Sequence, residues 1–425
     1  MKTIGIVSEY NPFHQGHAWH VEESRRQAAY GKMGDTDYAS EILRSAGTIC
    51  DTDTDTAVVA VMSGDFVQRG EAAVFSKYAR AEAACRSGVD LVIELPLPWA
   101  LASAEGFARG AVSLLASLGA AYLSFGSESA GKLTELKELA GLLLDPLFVE
   151  EVRDCLKKNP AQSFASARQI CAERRLQRAA PELQQPNNIL ALEYLKAIRE
   201  LNLSMTPLAV MRRGALHDQA GESDFPSASE LRNRVRGGRE ISAFVPGAAD
   251  AVFRRESAAG RIAADLERQD LLMLSRLRFL KEEDFLTLPD ASDGLGKRLY
   301  RAVRRESSYD AVIHAAATRR YPLARVRRLC CCAALGIKEN DRSLLPPFAR
   351  ILAFNEKGRA LLRNAAERAE VPTLTKPAQV SGLGTAAREI FECDANAHDF
   401  YTLLYSSAEQ RICGEDWRKG PLICS

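Results

Sequence analysis

The sequence predicts an α/β chain, a mostly parallel sheet with helices on both faces followed by a mostly α-helical second part. Three observations lead there. Short apolar runs with β-branched content alternate with longer helix-patterned stretches up to about Gly214, the order that βαβ units produce. The runs are nearly continuous in apolar residues, as strands covered on both faces require. Unusual polar clusters fall at their carboxyl ends, where ligands sit in such sheets.

The elements follow in order. "TIGIVSEY" is a first strand, "NPF" turns the chain and "HQGH" leads into the helix "HAWHVEESRRQAA". The polar tract 31–56, rich in Thr and Asp, lacks the glycine and distal glutamate of a calcium loop and reads as a surface insertion. "TAVVAVMSG", "VDLVIELP", "AYLSFGSE" and "SMTPLAVMRRG" are further strands, and "SKYARAEAACRSG", "SAEGFARGAVSLLASLG" and "NNILALEYLKAIREL" are helices between them. The polar clusters at strand ends are Glu9 to His17, Ser63 to Glu71, Glu94 to Pro98, Gly126 to Glu128 and Arg212 to Asp218. After Pro246 no strong strand run remains, and "RIAADLERQDLLMLSRLRFL" and "PPFARILAFNEKGRALLRNAAERA" read as amphipathic helices. The expected organisation is therefore a Rossmann-like unit over 1–246 and a helical unit over 247–425.

Composition narrows the function classes. At 425 residues with 46% hydrophobic and 26% charged residues, the chain can bury large cores. No run reaches the 18 or so apolar residues of a membrane span, and Glu9 interrupts the N-terminal run too early for a signal peptide, so a cytoplasmic protein is expected. The ten cysteines contain no CxxC pair, and Cys330, Cys331 and Cys332 lie inside a helical pattern, which favours packed thiols over a metal site. Net charge is only +1, yet Lys297 to Arg328 holds ten Lys or Arg against two acids, with Tyr300, Tyr309 and Tyr321 interleaved. That imbalance points to nucleic acid, with Arg319, Arg320, Arg325, Arg327 and Arg328 as candidate contacts.

Three of the six histidines sit at His14, His17 and His20. His14 and His17 fall together at a helix N-terminus, whose backbone N–H groups and dipole suit phosphate, and Gly16 allows close approach. No nearby Cys or Glu has the spacing for a zinc site. "FPSASELR" sets Ser227, Ser229 and Arg232 at a second helix start, a second anion cradle. Asp65, Gln68, Arg69 and Glu71 form a polar strand end expected to shape the substrate pocket. Lys77 and Arg80 are expected to face the site or to form an ordinary helix face. Glu94 reads as a satisfied core acid.

The HxGH turn and the Ser-rich cradle together resemble the α/β nucleotidyltransferase superfamily. The longer matches "VSEYNPFHQGHAWH", "VMSGDFVQRGEAAVFSKYAR", "GVDLVIELP", "SAEGFARGAVSLL", "FGSES", "NNILALEYLKAI" and "RRGALHD…SASELR" narrow this to the tRNA(Met) cytidine acetate ligase family, over roughly residues 1 to 235, with "TRRYPLARVRRL" similar to a later segment. The resemblance implies an enzyme that converts acetate and ATP to acetyl-adenylate, then acetylates the wobble cytidine of elongator tRNA(Met). By matching positions it implies ATP contacts along Val7, Ser8, Glu9, Tyr10, Asn11, Pro12, Phe13, His14, Gln15, Gly16, His17, Ala18, Trp19 and His20. Further contacts are implied at Gly126, Asn187 or Asn188, and Arg212. His14, His17 and Arg232 are the expected catalytic groups, with Arg212, Ser227 and Ser229 holding the polyphosphate. ATP enters as co-substrate; Mg2+ is compatible with it, but no residue pattern assigns that ion ligands. Two departures stand out: the 31–56 insertion is longer than the family's, and Met211 stands where a lysine is usual. Two other classes share some features. An adenylyltransferase acting on a small phosphorylated cofactor precursor has no use for the basic helical part, and an RNA-binding relic would have lost the histidines.

Overall fold

The computed structural model describes residues 1–30, 56–159, 162–211, 226–291, 294–366 and 369–425. The expected insertion lies almost wholly outside the described residues, and so does Arg212. We label the strands β1 Lys2–Ser8, β2 Thr56–Ser63, β3 Phe66–Val67, β4 Glu71–Ala72, β5 Leu91–Leu95, β6 Tyr122–Ser127, β7 Thr206–Met211, β8 Ala349–Phe354, β9 Thr373–Leu374 and β10 Leu422–Ile423. The helices that matter here are α1 Gln15–Tyr30, α2 Lys77–Cys85, α3 Ala104–Ser117, α4 Pro186–Glu200, α5 Ala228–Arg236, α6 Gly247–Ala258, α7 Leu266–Arg278, α8 Leu295–Arg305, α9 Tyr309–Ala316, α10 Leu323–Leu335 and α11 Thr385–Thr402.

All five strands expected from the apolar runs are present and pair in parallel, in the order β5-β2-β1-β6-β7. β2 shows why a continuous apolar run is needed. Its Ala57, Val59 and Val61 enter one core with α3 and α4, while Val58, Ala60 and Met62 enter another with α1 and α2, since successive side chains alternate between faces. The sheet grows to one side of β1 through β2 and β5 and to the other through β6 and β7. The turn after β1 therefore stands where the order reverses, the place where such sheets bind ligands. Helices Leu133–Leu144, Pro146–Lys158 and Phe164–Leu176 fill the long connection between β6 and β7.

One expectation fails. Strands do follow Pro246: β8 pairs antiparallel with β5, and β9 and β10 pair with β8. "ARILAF" is buried at all six positions, and a short apolar run buried on both faces carries no periodicity that separates strand from helix. α6 also packs back on the first part, with Phe253 stacked on Phe75 at 4.4 Å. The run from α7 to α10 builds its own core around Leu277, Leu299, Val312 and Leu329, and Phe66 of β3 joins it. The change at residues 246–247 is thus one of composition, and the chain returns to the main sheet about a hundred residues later.

Candidate nucleotide site

The turn between β1 and α1 is organised by its own side chains. His14 caps α1: its carbonyl accepts the N–H of His17 at 2.8 Å, and its Nδ1 accepts the N–H of Gly16 at 3.0 Å. The N–H of His14 donates in turn to Nδ1 of His17 at 3.2 Å. A ring nitrogen that accepts a hydrogen bond carries no proton, so both imidazoles have their proton on Nε2. The rings stack at 3.8 Å, and Tyr10 meets His17 edge-on at 5.0 Å. A Cβ at Gly16 would lie 2.9 Å from the His14 ring, so any larger residue forces that ring to move. The expected amide cradle is therefore partly occupied, because the Gly16 N–H serves His14; the turn instead presents two matched imidazole donors.

Arg80 holds this turn in place. The side chain is fully buried, and its guanidinium donates to four carbonyls: Phe75 at 2.9 Å, Glu9 at 2.5 Å, Ser63 at 3.2 Å, and Gly64. It thereby ties the ends of β1 and β2 together, with a planar fork that a lysine lacks. Half-buried Glu9 accepts the Gln68 N–H at 3.0 Å. Desolvation raises its carboxyl above the usual range, against the opposing pull of the Gln68 N–H, Arg232, Arg69 and Arg80. Asn11 accepts the Val74 N–H at 2.9 Å.

The second cradle meets the first. Ser227 caps α5, its hydroxyl accepting the Glu230 N–H at 3.2 Å. One turn on, Arg232 donates to Ser229 Oγ at 2.9 Å and to the Asn11 carbonyl at 3.2 Å. Two clusters more than two hundred residues apart in sequence thus share one arginine. Arg236 follows on the same helix face; burial and the nearby Arg232 charge lower its pKa.

The remaining expected residues divide. Val7 and Ser8 end β1, and Gly126 is half-buried at the end of β6. Tyr10, Pro12 and Phe13 are buried beneath the turn, Gln15 is exposed and donates to the Ala243 carbonyl at 3.2 Å, and Ala18 and Trp19 are half-buried on α1. His20 lies deeper along α1, where Nε2 is 3.0 Å from Ser124 Oγ on β6, which gives it a packing partner away from the turn. Asn188 is fully buried and pins the loop after β6 by accepting from Ser127 Oγ at 2.7 Å and the Glu128 N–H at 3.2 Å. Asn187 is half-buried and donates to Glu128.

Asp65, expected to shape the substrate pocket, and Lys77, expected to face the site or to form an ordinary helix face, are both buried in the core. Lys77 is fully buried between Glu94 at 2.8 Å and Asp416 at 2.5 Å, and Arg350 completes the cluster at 2.6 Å from Asp416. Asp65 accepts the Lys77 N–H at 2.7 Å and sits 2.7 Å from His398 Nδ1, while His398 Nε2 lies 2.8 Å from Glu415. Burial opposes charge on that imidazole, yet Asp65 and the hydrogen bonds to Asp65 and Glu415 push its pKa up to about 10. His398, Arg350 and Asp416 were not legible locally, since the partners Asp65, Glu94 and Lys77 lie hundreds of residues away, and Glu415 joins them only through His398; Arg236 was, being one turn beyond Arg232. Gln68 is half-buried and Arg69 exposed on the β3–β4 hairpin.

Among the candidate RNA contacts, Arg319 and Arg320 are exposed before α10. Arg325 donates to the Asp290 carbonyl at 2.8 Å and stacks near Tyr321, and Arg327 pairs with Glu71 at 3.1 Å. Arg328 is half-buried, and its Nε has no hydrogen-bond partner among the described residues. Among the described residues no group of three or more His, Cys, Asp or Glu is placed to hold a metal, and no helix is long and apolar enough to cross a membrane.

Comparisons with known proteins identify the family. The HIGH Nucleotidyl Transferase family model matches residues 1–32 and 47–416. The skipped stretch falls within the 31–56 tract. The tRNA(Met) cytidine acetate ligase of Caldanaerobacter subterraneus is 34% identical over 420 residues, covering 96% of each chain. That of Syntrophomonas wolfei is 32% identical over 442 residues, covering 99% of each. The apo crystal structure of Thermotoga maritima TmcAL superposes with a TM-score of 0.87 at 30% identity, over 100% of this chain and 99% of that one. The same protein bound with alpha-thio ATP gives 0.85 at 30% identity, with the same coverage. The chain belongs to the tRNA(Met) cytidine acetate ligase family of HIGH nucleotidyl transferases.

Proposed function

We propose that the chain is an ATP-dependent acetate ligase that forms acetyl-adenylate and acetylates the exocyclic amine of the wobble cytidine in elongator tRNA(Met). The products are N4-acetylcytidine, AMP and pyrophosphate. The observation that carries this reading is the Arg232 bridge between the HxGH turn and the Ser227–Ser229 cradle, at the sheet's reversal point, in a chain of this family. Such a pair of cradles suits a triphosphate attacked at its α-phosphorus.

In this reading His14 and His17 donate from Nε2 to the phosphates as charge builds during attack. Arg232, Ser227 and Ser229 hold the β- and γ-phosphates from the opposite side, and the family resemblance assigns Arg212, which lies outside the described residues, to ATP as well. An acetate oxygen attacks the α-phosphorus, and the bond to pyrophosphate breaks. The cytidine amine then attacks the acetyl carbon, the bond to AMP breaks, and the amine proton leaves. Catalysis is chiefly positioning and charge stabilisation. The exposed Arg319 and Arg320 and the basic face of α8 receive the RNA backbone. Incubation with isotope-labelled acetate, ATP and tRNA, followed by nucleoside mass spectrometry, tests the assignment. Label in N4-acetylcytidine from the wobble position of tRNA(Met) is expected; label in a small phosphorylated cofactor, or none in RNA, would overturn it.

A further inference from the structure

The β3–β4 hairpin, Phe66–Ala72, stands between the nucleotide turn and the arginine-rich helix α10. On one side the Gln68 N–H donates to Glu9 at 3.0 Å. On the other, Gly70 (φ 74°) lies directly against the backbone of α10: a Cβ there would sit 2.5 Å from the Arg327 carbonyl carbon. Cys331 Sγ adds a contact to the Gly70 carbonyl at 3.2 Å. The hairpin backbone is thus fixed at both edges. The half-exposed Glu71 side chain is the part that can move, and it faces two guanidinium groups, Arg327 at 3.1 Å and Arg232 at 4.0 Å. Arg236, near both Arg232 and Glu71, adds positive charge on the Arg232 side.

We propose that Glu71 is a positioning residue that makes ATP and tRNA antagonistic, so that the RNA backbone engages Arg327 fully only after pyrophosphate has left Arg232. The proposal rests on the reading above, which puts polyphosphate at Arg232, and on Arg327 as one of the RNA contacts expected from the arginine-rich segment. One carboxylate serves two cations. Polyphosphate on Arg232 leaves Glu71 with Arg327, its nearer partner, and keeps that guanidinium from RNA. An RNA phosphate on Arg327 displaces Glu71, whose next cation is Arg232, so the carboxylate then competes with the polyphosphate. With both anions bound, Glu71 would stand between two negative groups without a cation of its own. Departure of pyrophosphate relieves the conflict: Glu71 closes on Arg232, and Arg327 is released to the RNA. The order imposed is activation first, acyl transfer second, which keeps acetyl-adenylate formation ahead of tight RNA engagement.

The test measures affinity of the full chain for a non-hydrolysable ATP analogue and for AMP, each with and without saturating tRNA(Met). In the wild type, tRNA should weaken the ATP analogue by about fivefold or more, within the usual span of coupling between sites, and leave AMP unchanged. By reciprocity the analogue must weaken tRNA by the same factor. Glu71→Gln keeps the shape and removes the charge, and the ATP ratio should fall to one. Arg327→Gln should remove the same dependence, with no further loss in the double variant. A wild-type ratio of one, equal weakening of ATP and AMP, an unchanged ratio in Glu71→Gln, or additive losses in the double variant would each overturn the proposal. Acetate-dependent pyrophosphate exchange by the same wild-type preparation separates the two failures. Its absence defeats the functional reading, whereas its presence with a ratio of one defeats only the coupling.

Discussion

Arg80→Lys separates the geometry of the nucleotide turn from its chemistry, because it keeps a positive charge and touches no proposed phosphate contact. The wild-type guanidinium donates to the carbonyls of Phe75, Glu9, Ser63 and Gly64 from a fully buried position. A lysine ammonium is a point donor and cannot span that fork, so at least two carbonyls lose their partner. Hydrogen bonds to a charged group contribute about 1.5–3 kcal/mol each, so the loss of two should be roughly 3–6 kcal/mol. That is a large part of the ~5–15 kcal/mol that holds a typical domain together. Activity should suffer beyond stability. The Glu9 carbonyl anchors the turn that carries His14 and His17, and a shift near 1 Å in such a site costs about a hundredfold in rate. Acetate-dependent ATP–pyrophosphate exchange, measured where urea unfolding shows the variant folded, should fall by about that factor. A folded variant that exchanges at the wild-type rate would refute the argument that this guanidinium sets the turn.

Three further outcomes are expected. His17→Ala should lower exchange by about 10²–10³, the cost of losing one preorganised donor to a developing charge, while tRNA binding by filter retention persists; loss of RNA binding alone would contradict the role. tRNA affinity should fall linearly with the logarithm of salt, and Arg319→Gln should shrink that slope by about one phosphate contact; an identical slope removes Arg319 from the interface. His398 concerns stability and pH. Its pKa is raised from 6.5 to about 10 in the fold, so its contribution is complete below the unfolded value and fades as pH climbs through 10. The stability gap between wild type and His398→Gln in urea should therefore be widest near pH 6.5 and close toward pH 10. A constant gap across that window would mean that the imidazole is not held protonated between Asp65 and Glu415.

Much of the site was legible because its chemistry is local. The HxGH turn announces itself by three histidines and a glycine after an apolar run, and Ser227, Ser229 and Arg232 lie within six residues of one helix start. What sequence could not supply was the join between them, since the Arg232–Asn11 contact spans the whole Rossmann-like part. The same limit explains Asp65 and Lys77. Both stand beside the polar strand end and look solvent-facing in sequence, but their partners His398 and Asp416 come from the last thirty residues. β8 was hidden for a different reason. Its five apolar residues, interrupted only by Arg350, run almost directly into a helix, and only pairing in the sheet makes them a strand. Helix α8, read from sequence only as a basic stretch, turns out amphipathic, with Lys297, Arg301 and Arg305 on one exposed face and Leu299 and Val303 buried on the other.

The central claim is that the paired cradles activate acetate on ATP. Exchange of labelled pyrophosphate into ATP by the purified chain, with and without acetate and with no RNA present, tests it most directly. The account predicts exchange that depends on acetate and disappears in His17→Ala. Exchange that ignores acetate but requires a phosphorylated cofactor precursor would contradict it and move the chain to the adenylyltransferases.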